Sequence, residues 1–217
     1  MEIVNKYNFI VADDHRIVRH GISLILKELY YDSNVFEASC FSEILQILDD
    51  EKIDMIILDV NFPEGITLSM LPEIKKRQPN AKILIFTAFD EDIYAIKYIN
   101  SGVNGFLNKL SDFDQIKHAI SSTIKIGRYF SQSISDKIIN SYLSKSNENP
   151  FEQLSNREIE IAKLYVDGYG NVEISAELNI KSTTVSTYKK RIYEKLGIKN
   201  LSQLYQLFNI YAKGNSP

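Results

Sequence analysis

The chain has 217 residues, 44% hydrophobic and 24% charged, with a formal net charge of −3, so there is room for one large domain or two small ones. A single cysteine, Cys40, excludes an intramolecular disulfide and a cysteine metal cage, and no stretch approaches the length of a membrane span. The start Met1-Glu2-Ile3-Val4-Asn5-Lys6 lacks the basic-then-apolar order of a signal peptide, so the expectation is a cytoplasmic protein with no membrane partner.

Tyr7 to Ala12 is a short apolar run ending on Asp13-Asp14, read as a strand. Ile17, Gly21, Leu24 and Leu29 follow at helical spacing and predict a helix packed back onto that strand. Val35 to Ala38 is a second strand, and Phe41 to Leu48 a helix with Ile44, Leu45 and Leu48 inward. Ile53 to Asp59 is an apolar run flanked by turn chemistry, too short for a helix, and reads as a strand buried on both faces with Asp59 at its carboxyl end. Taken alone, Asp59 also reads as a helix cap or turn aspartate. Ile66 to Arg77 predicts a helix in which Pro72 is tolerated only near the first turns or as a kink. Lys82 to Thr87 is a strand ending on a hydroxyl, and Asp90-Glu91-Asp92 place acids where the next helix dipole is positive. Val103 to Leu107 is the fifth strand, Lys109 stands two residues beyond it, and Asp112 to Lys125 is a helix stopped by Gly127. Five alternations of strand and helix predict an α/β domain with a parallel, doubly wound sheet.

That fold brings Asp13, Asp14, Asp59, Thr87 and Lys109 to one sheet edge from the carboxyl ends of four strands, Asp13 and Asp14 sharing the first. Three carboxylates so close would repel one another unless a cation sat among them. Mg2+ suits such an oxygen site, because it is held by one or two carboxylates with waters and phosphate. A carboxylate there can attack phosphorus and form an aspartyl-phosphate, while the Lys109 ammonium and the Thr87 hydroxyl hold phosphoryl oxygens. In order and spacing, Asp13-Asp14, Asp59, Thr87-Ala88 and Lys109 resemble the receiver domain of bacterial two-component response regulators, over roughly the first 130 residues. The resemblance implies a flavodoxin-like five-stranded parallel sheet with Asp59 as phosphoacceptor. It implies Mg2+ held by Asp13, Asp14, Asp59 and the Asn61 backbone carbonyl, and a phosphoryl group read by Thr87 and Lys109. Phe106 matches the family's switch aromatic; the plainer reading makes it core. The family's usual Met-Pro-Gly-x-x-Gly run is replaced by Phe62-Pro63-Glu64-Gly65-Ile66-Thr67, a reshaped loop in which Glu64 would add negative charge near the acceptor. His15 reads as a surface or capping residue without chemistry.

Arg128 to Pro150 changes character. Ile134, Ile138, Ile139, Tyr142 and Leu143 are helically spaced, and Ser144 to Pro150 is polar and breaker-rich, a hinge. Beyond it, Leu154-Ser155-Asn156-Arg157-Glu158 predicts a capping box between Ser155 and Glu158, with the helix ending at Gly168. Asn171 is expected to cap a second short helix and Ser182 a third, which Gly197 stops; Leu201, Leu204, Leu207, Phe208 and Tyr211 make a fourth. In the third helix Val185, Tyr188, Ile192 and Leu196 face inward, leaving Ser186, Thr187, Lys189, Lys190 and Arg191 outward. Residues 1–130 carry 14 Lys/Arg against 19 Asp/Glu, whereas 131–217 carry 11 against 9, and from Lys181 to Lys199 six bases face only Glu194. Two short helices joined by a tight turn, the second basic outside, have a helix-turn-helix layout. Basic charge alone would fit a solvated bundle helix equally well.

Leu154 to Glu158, Asn171-Val-Glu-Ile174, Thr184-Val185 and Lys195-Leu196-Gly197-Ile198 resemble the LuxR-type DNA-binding domain, and the whole chain is similar to NarL/FixJ-class response regulators. Ser186 and Tyr188 stand where that family commonly has Lys and His, Lys181 replaces a usual Ser, and Gly170 another. The reading divides the chain into a receiver at 1–127, a partly helical linker at 128–150 and a DNA-binding domain at 151–217. The function implied is that of a phosphorylation-controlled transcriptional regulator, not an enzyme. A histidine kinase would phosphorylate Asp59, and the regulator would bind double-stranded DNA through Ser186, Thr187, Lys189, Lys190 and Arg191, as a homodimer. Two rival readings stand beside it: a phosphorylation-independent regulator whose receiver only dimerises, and an aspartyl-phosphate phosphohydrolase. Phosphohydrolases place the nucleophile after the first strand with a second acid two residues on, where this chain has Asn61.

Overall fold

Short apolar runs separated by amphipathic helices leave the chain little choice but a covered parallel sheet, because the central strands are apolar on both faces. The computed structural model describes residues 6–144 and 149–211. In chain order the elements are β1 (Asn8–Ala12), α1 (Arg16–Leu29), β2 (Asn34–Ala38), α2 (Phe41–Asp50) and β3 (Met55–Leu58). A two-stranded hairpin follows, β4 (Asn61–Phe62) with β5 (Gly65–Ile66), then a 3-10 turn at Thr67–Ser69 and α3 (Leu71–Arg77). Next come β6 (Lys82–Thr87), α4 (Glu91–Asn100), β7 (Gly105–Asn108), α5 (Phe113–Ile126) and α6 (Gln132–Ser144). The main sheet has the order β2-β1-β3-β6-β7 with every neighbouring pair parallel. Strand order reverses beside β1, which opens a crevice between the carboxyl ends of β1 and β3.

Phe9, Val11, Met55, Ile57, Leu84, Phe86 and Leu107 pack on one face of the sheet with Ile22, Ile25 and Leu26 of α1 and Ala119, Ile120 and Ile124 of α5. The alternate strand residues Ile10, Ile56, Leu58, Ile83, Ile85 and Phe106 are buried on the other face. α5 starts on a capping box between Asp112 and Gln115 and ends at Gly127.

α1 packs through Val18, Ile22, Ile25, Leu26 and Leu29, whereas Ile17 is 84% exposed, Leu24 is 59% exposed and Gly21 faces solvent. The helix carries two apolar stripes, and the sheet takes the more continuous one. The helix expected from Ile66 starts only at Leu71, because Gly65 and Ile66 pair with Asn61 and Phe62 and the Thr67 amide donates to the Val60 carbonyl at 2.9 Å. Pro72 then lies in the first turn, where its missing N–H breaks no helical bond. The last strand begins at Gly105, not Val103, and includes Asn108.

The chain divides into two compact units, Met1–Ile139 and Asn140–Pro217, and the division falls within α6. Ile134 is buried, whereas Ile139, expected on the same stripe, is exposed. The readings placed on Met1 to Asn5, on Lys145 to Glu148 of the hinge, on the side chains of Tyr142 and Leu143, and on residues 212–217 lie outside the described residues.

The second unit contains a 3-10 turn at Pro150–Gln153, α7 (Asn156–Val166), α8 (Asn171–Glu177), α9 (Ser182–Leu196) and α10 (Leu201–Tyr211). α7, α8 and α9 pack on one another and α10 on α7, around Ile161, Ile174, Val185, Ile192, Leu204 and Leu207. The Ser155–Glu158 capping box is present. Neither of the other two expected caps is. Gly170 precedes α8, and Asn171 is its first helical residue with its side chain bonded elsewhere; Lys181 precedes α9, and Ser182 is already helical. α9 ends at Gly197, whose φ of 65° is a left-handed conformation that glycine adopts without a Cβ penalty. Among the described residues no helix is long and apolar enough to cross a membrane.

Candidate phosphoryl-acceptor site and nucleic-acid interface

β1 and β3 are neighbours, and Asp13 and Asp59 directly follow them. The Asp13 amide donates to the Ala38 carbonyl at 3.1 Å and the Asp59 amide to the Ala12 carbonyl at 2.9 Å, which extends the ladder to the two acids. Both are buried, Asp13 at 2% and Asp59 at 6% exposure. Lys109, just past β7, reaches in: its Nζ lies 2.6 Å from Asp13 Oδ2 and 2.8 Å from Asp59 Oδ2. Asp59 Oδ1 accepts from the Val60 amide at 2.7 Å. Burial pushes the Asp59 carboxyl above its ordinary range, with Asp13 adding to the rise, while Lys109 and the Val60 amide oppose it. For Lys109, burial works toward a lower pKa, but its bonds to the two carboxylates outweigh that and hold the ammonium above its ordinary value. One cation thus bridges two buried acids, leaving the cluster one negative charge before Asp14 is considered.

Asp14 is exposed, beside His15, whose Nδ1 lies 2.6 Å from Asp14 Oδ1 and 3.3 Å from Asp13 Oδ1. One ligand atom from each of Asp13, Asp14, His15 and Asp59 lies within 4.8 Å of all the others. This oxygen-rich donor set fits a hard divalent cation. Arg19, which sequence reasoning missed, donates from Nη1 to the Asp13 carbonyl at 2.7 Å and holds the loop after β1. Its place one turn into α1 is the only local signal that could have suggested it.

Of the remaining expected residues, Thr87 meets this cluster through a backbone bond to Lys109. Thr87 is fully buried; its hydroxyl accepts from the Phe89 amide at 3.3 Å and its carbonyl from the Lys109 amide at 2.8 Å. Asn61 is exposed and opens the hairpin. Gly65 in that hairpin has φ of 139°, a conformation side chains rarely adopt, so the loop after Asp59 depends on it. The Glu64 carboxylate accepts from the Phe41 amide at the start of α2, at 3.4 Å. Phe106 is fully buried and meets Tyr98 edge-on, with ring centroids 6.3 Å apart. The Tyr98 hydroxyl lies 3.1 Å from the hydroxyl of Thr67, which also donates to the Val60 carbonyl at 3.1 Å. Burial raises the Tyr98 hydroxyl far above the usual tyrosine range, so it stays protonated. A continuous chain of contacts therefore runs from Phe106 to the residue after Asp59.

In the second unit, α9 presents the five residues expected to meet nucleic acid, but not equally. Thr187, Lys190 and Arg191 are exposed. Ser186 accepts from Asn171 Nδ2 at 3.0 Å, and Asn171 Oδ1 accepts from the Tyr165 hydroxyl at 2.7 Å, so α7, α8 and α9 are tied by one polar relay. Lys189 is half-buried, its Nζ 5.3 Å from the Tyr165 ring centroid and 5.7 Å from that of Tyr193. The buried Glu158 accepts from the Ser155 amide and hydroxyl at 2.8 and 2.9 Å and from Lys195 Nζ at 2.7 Å, and Lys195 holds its carboxyl below the ordinary range.

Residues 9–121 match the family described as response regulator receiver domain, and residues 152–208 match bacterial regulatory proteins of the luxR family. The chain is 33% identical over 204 residues to the oxygen regulatory protein NreC of Staphylococcus aureus (strain JH9), a similarity spanning 91% of this chain and 94% of NreC. Among solved structures it resembles the two-component response regulator RcsB in complex with DNA, at TM-score 0.73 and 25% identity over 95% of this chain and 99% of that one. It also resembles RcsB from Salmonella enterica serovar Typhimurium bound to promoter rprA with the phosphomimetic BeF3−, at TM-score 0.70 and 25% identity, over 94% and 100% of the two chains.

Proposed function

This chain belongs to the two-component response regulators that join a receiver domain to a LuxR-type DNA-binding domain, and on that premise we propose which of its residues carry the activity. It is a phosphorylation-controlled, DNA-binding transcription regulator that takes its phosphoryl group from a histidine kinase and acts on double-stranded DNA as a dimer. Its place of work is the cytoplasm. The receiver comprises residues 1–127, the linker 128–150 and the DNA-binding domain 151–217.

Asp59 is the phosphoacceptor: a carboxylate oxygen bonds to phosphorus as the phosphorus–nitrogen bond of the kinase phosphohistidine breaks. Burial makes that carboxylate more basic than an exposed one, while Lys109 opposes the rise and holds one of its oxygens at 2.8 Å. Asp13, Asp14, Asp59 and the Asn61 carbonyl would hold Mg2+, which supplies positive charge toward the phosphoryl oxygens when bound. Lys109 holds one phosphoryl oxygen as a point charge, and the Thr87 hydroxyl donates to another. Phe106, packed on Tyr98, is the switch aromatic that repacks with Thr87. The phosphoryl group shifts the receiver only by its different interaction energies with the two states. The chain's own carboxylate is the group modified, so the protein is a regulator and not an enzyme. On DNA, Lys190 and Arg191 neutralise phosphates and Thr187 faces base edges, with Ser186 and Lys189 contributing beside them.

The observation that supports this reading most directly is Lys109 bridging Asp13 and Asp59 at the carboxyl edge of β1 and β3. Incubation with a small acyl phosphate and Mg2+ is expected to add one phosphate to the wild-type chain and none to Asp59→Asn. Full labelling of Asp59→Asn would remove Asp59 as the acceptor.

A further inference from the structure

His15 is the residue the phosphoacceptor chemistry leaves unused. It occupies the N-cap of α1, yet its side chain makes no capping bond there. The imidazole turns instead to the acids, with Nδ1 2.6 Å from Asp14 Oδ1 and 3.3 Å from Asp13 Oδ1, while its backbone amide donates to the same Asp13 oxygen at 2.8 Å. Asp13 thus uses its two oxygens in separate directions: Oδ2 meets Lys109 and Oδ1 meets His15. Two donors on adjacent positions of an octahedron, each about 2.1 Å from the ion, stand roughly 3.0 Å apart. The two Nδ1–oxygen distances bracket that spacing, and the donor atoms of Asp13, Asp14, His15 and Asp59 lie within 4.8 Å of one another. The imidazole is largely solvent-exposed, so an ion reaches this side of the cluster without displacing the core.

We propose that His15 Nδ1 is a ligand of the divalent cation held by Asp13, Asp14 and Asp59, making a mixed nitrogen–oxygen site that favours Mn2+ or Co2+ over Mg2+ more than an all-oxygen site would. Imidazole suits first-row transition ions, whereas Mg2+ prefers carboxylate, carbonyl and water oxygen. Lys109 stays on the buried side of the two acids and His15 closes the open side. This assignment rests on the cation reading made under Proposed function.

The test uses the full-length, metal-free chain loaded with Mn2+ alone. Pulsed electron paramagnetic resonance of bound Mn2+ should show coupling to a directly bonded 14N nucleus. His15→Ala and His15→Asn should both abolish the coupling and weaken Mn2+ binding roughly tenfold or more, with a smaller loss for Mg2+ measured by competition. Asp59→Asn should also remove or greatly weaken the nitrogen-coupled Mn2+ signal, which ties the nitrogen to the acid cluster. Mn2+ bound competitively with Mg2+ but without 14N coupling would overturn the His15 assignment and leave the cation site standing. Coupling that survives either His15 variant would overturn it as well, because the nitrogen would belong to another residue. No Mn2+ binding by the wild-type chain would overturn both the His15 ligand and the cation site.

Discussion

Replacing Lys109 with methionine keeps most of the side-chain volume and removes the one cation among the described residues that faces both Asp13 and Asp59. At 2.6 and 2.8 Å, each pair is worth about 6 kcal/mol of direct attraction at an effective dielectric constant of 20, most of which offsets the cost of burying the charges. Breaking a buried pair from one side strands the partner and typically costs about 3–5 kcal/mol. Here two acids at 2% and 6% exposure are stranded, so Lys109→Met should lose at least about 3 kcal/mol at pH 7. The sign of the pH dependence follows from Asp59. Its carboxyl is raised by burial even with Lys109 present, so its contribution to stability is full at acid pH and declines as pH rises through the folded value. Without Lys109 that value climbs further, and the penalty should shrink as the pH is lowered through it. Adding Asp59→Asn to Lys109→Met should recover part of the loss, since one stranded charge disappears. Hydrogen exchange of the Asn8–Ala12 and Met55–Leu58 amides across a urea series reads this unit apart from the second one. A loss below about 1 kcal/mol at pH 7, or one that does not shrink anywhere as the pH is lowered, would refute the bridging role.

Three further outcomes are expected. Lys190→Ala should lower the slope of log affinity for DNA against log salt by about 1, whereas Lys189→Ala, whose ammonium lies over Tyr165 and Tyr193, should change it less; equal slopes would contradict the difference in their exposure. Glu158→Gln should destabilise the second unit by roughly 1–2 kcal/mol at pH 7, seen as faster exchange in α7 and α9. Because Lys195 and the Ser155 bonds hold the Glu158 carboxyl low, the wild-type stabilisation is full above about pH 4.5 and is lost as pH falls through the folded value, so the two proteins should converge in acid. Thr67→Val should cost about 1–3 kcal/mol by leaving the Val60 carbonyl and the Tyr98 hydroxyl each short of a partner, with the change in exchange concentrated at the hairpin and α4; an unchanged hairpin would show that Thr67 does not fasten this loop.

Local pattern was enough for the receiver sheet. Each strand is a largely apolar run with an acid, a hydroxyl or a lysine at or just beyond its end, and parallel strands put all such ends on one edge. Asp13, Asp14, Asp59 and Lys109 were therefore legible from position alone, as was the Ser155–Glu158 box, whose partners are three residues apart. The α1 face was not, because Ile17 and Leu24 satisfy helical spacing as well as Ile22, Ile25 and Leu26 do. Spacing shows that a stripe exists; only the sheet decides which stripe is covered.

The same limit applies wherever the decisive partner is distant in the chain or is set by a side-chain orientation. Glu158 meets Lys195 across 37 residues, Asn171 leaves its expected capping role to join Tyr165 to Ser186, and Thr67 meets Tyr98 across 31 residues. His15 is adjacent to Asp14, yet whether its ring capped a helix or faced the acids depended on how α1 leaves the sheet edge. Periodicity and turn chemistry are properties of neighbours, so the sequence by itself determined the elements and the edge on which the acids collect. Pairings between elements depend on where helices settle against the sheet or against one another, so the tertiary structure alone decided what holds those acids, what fastens the loop after Asp59, and which basic residues of α9 stay exposed.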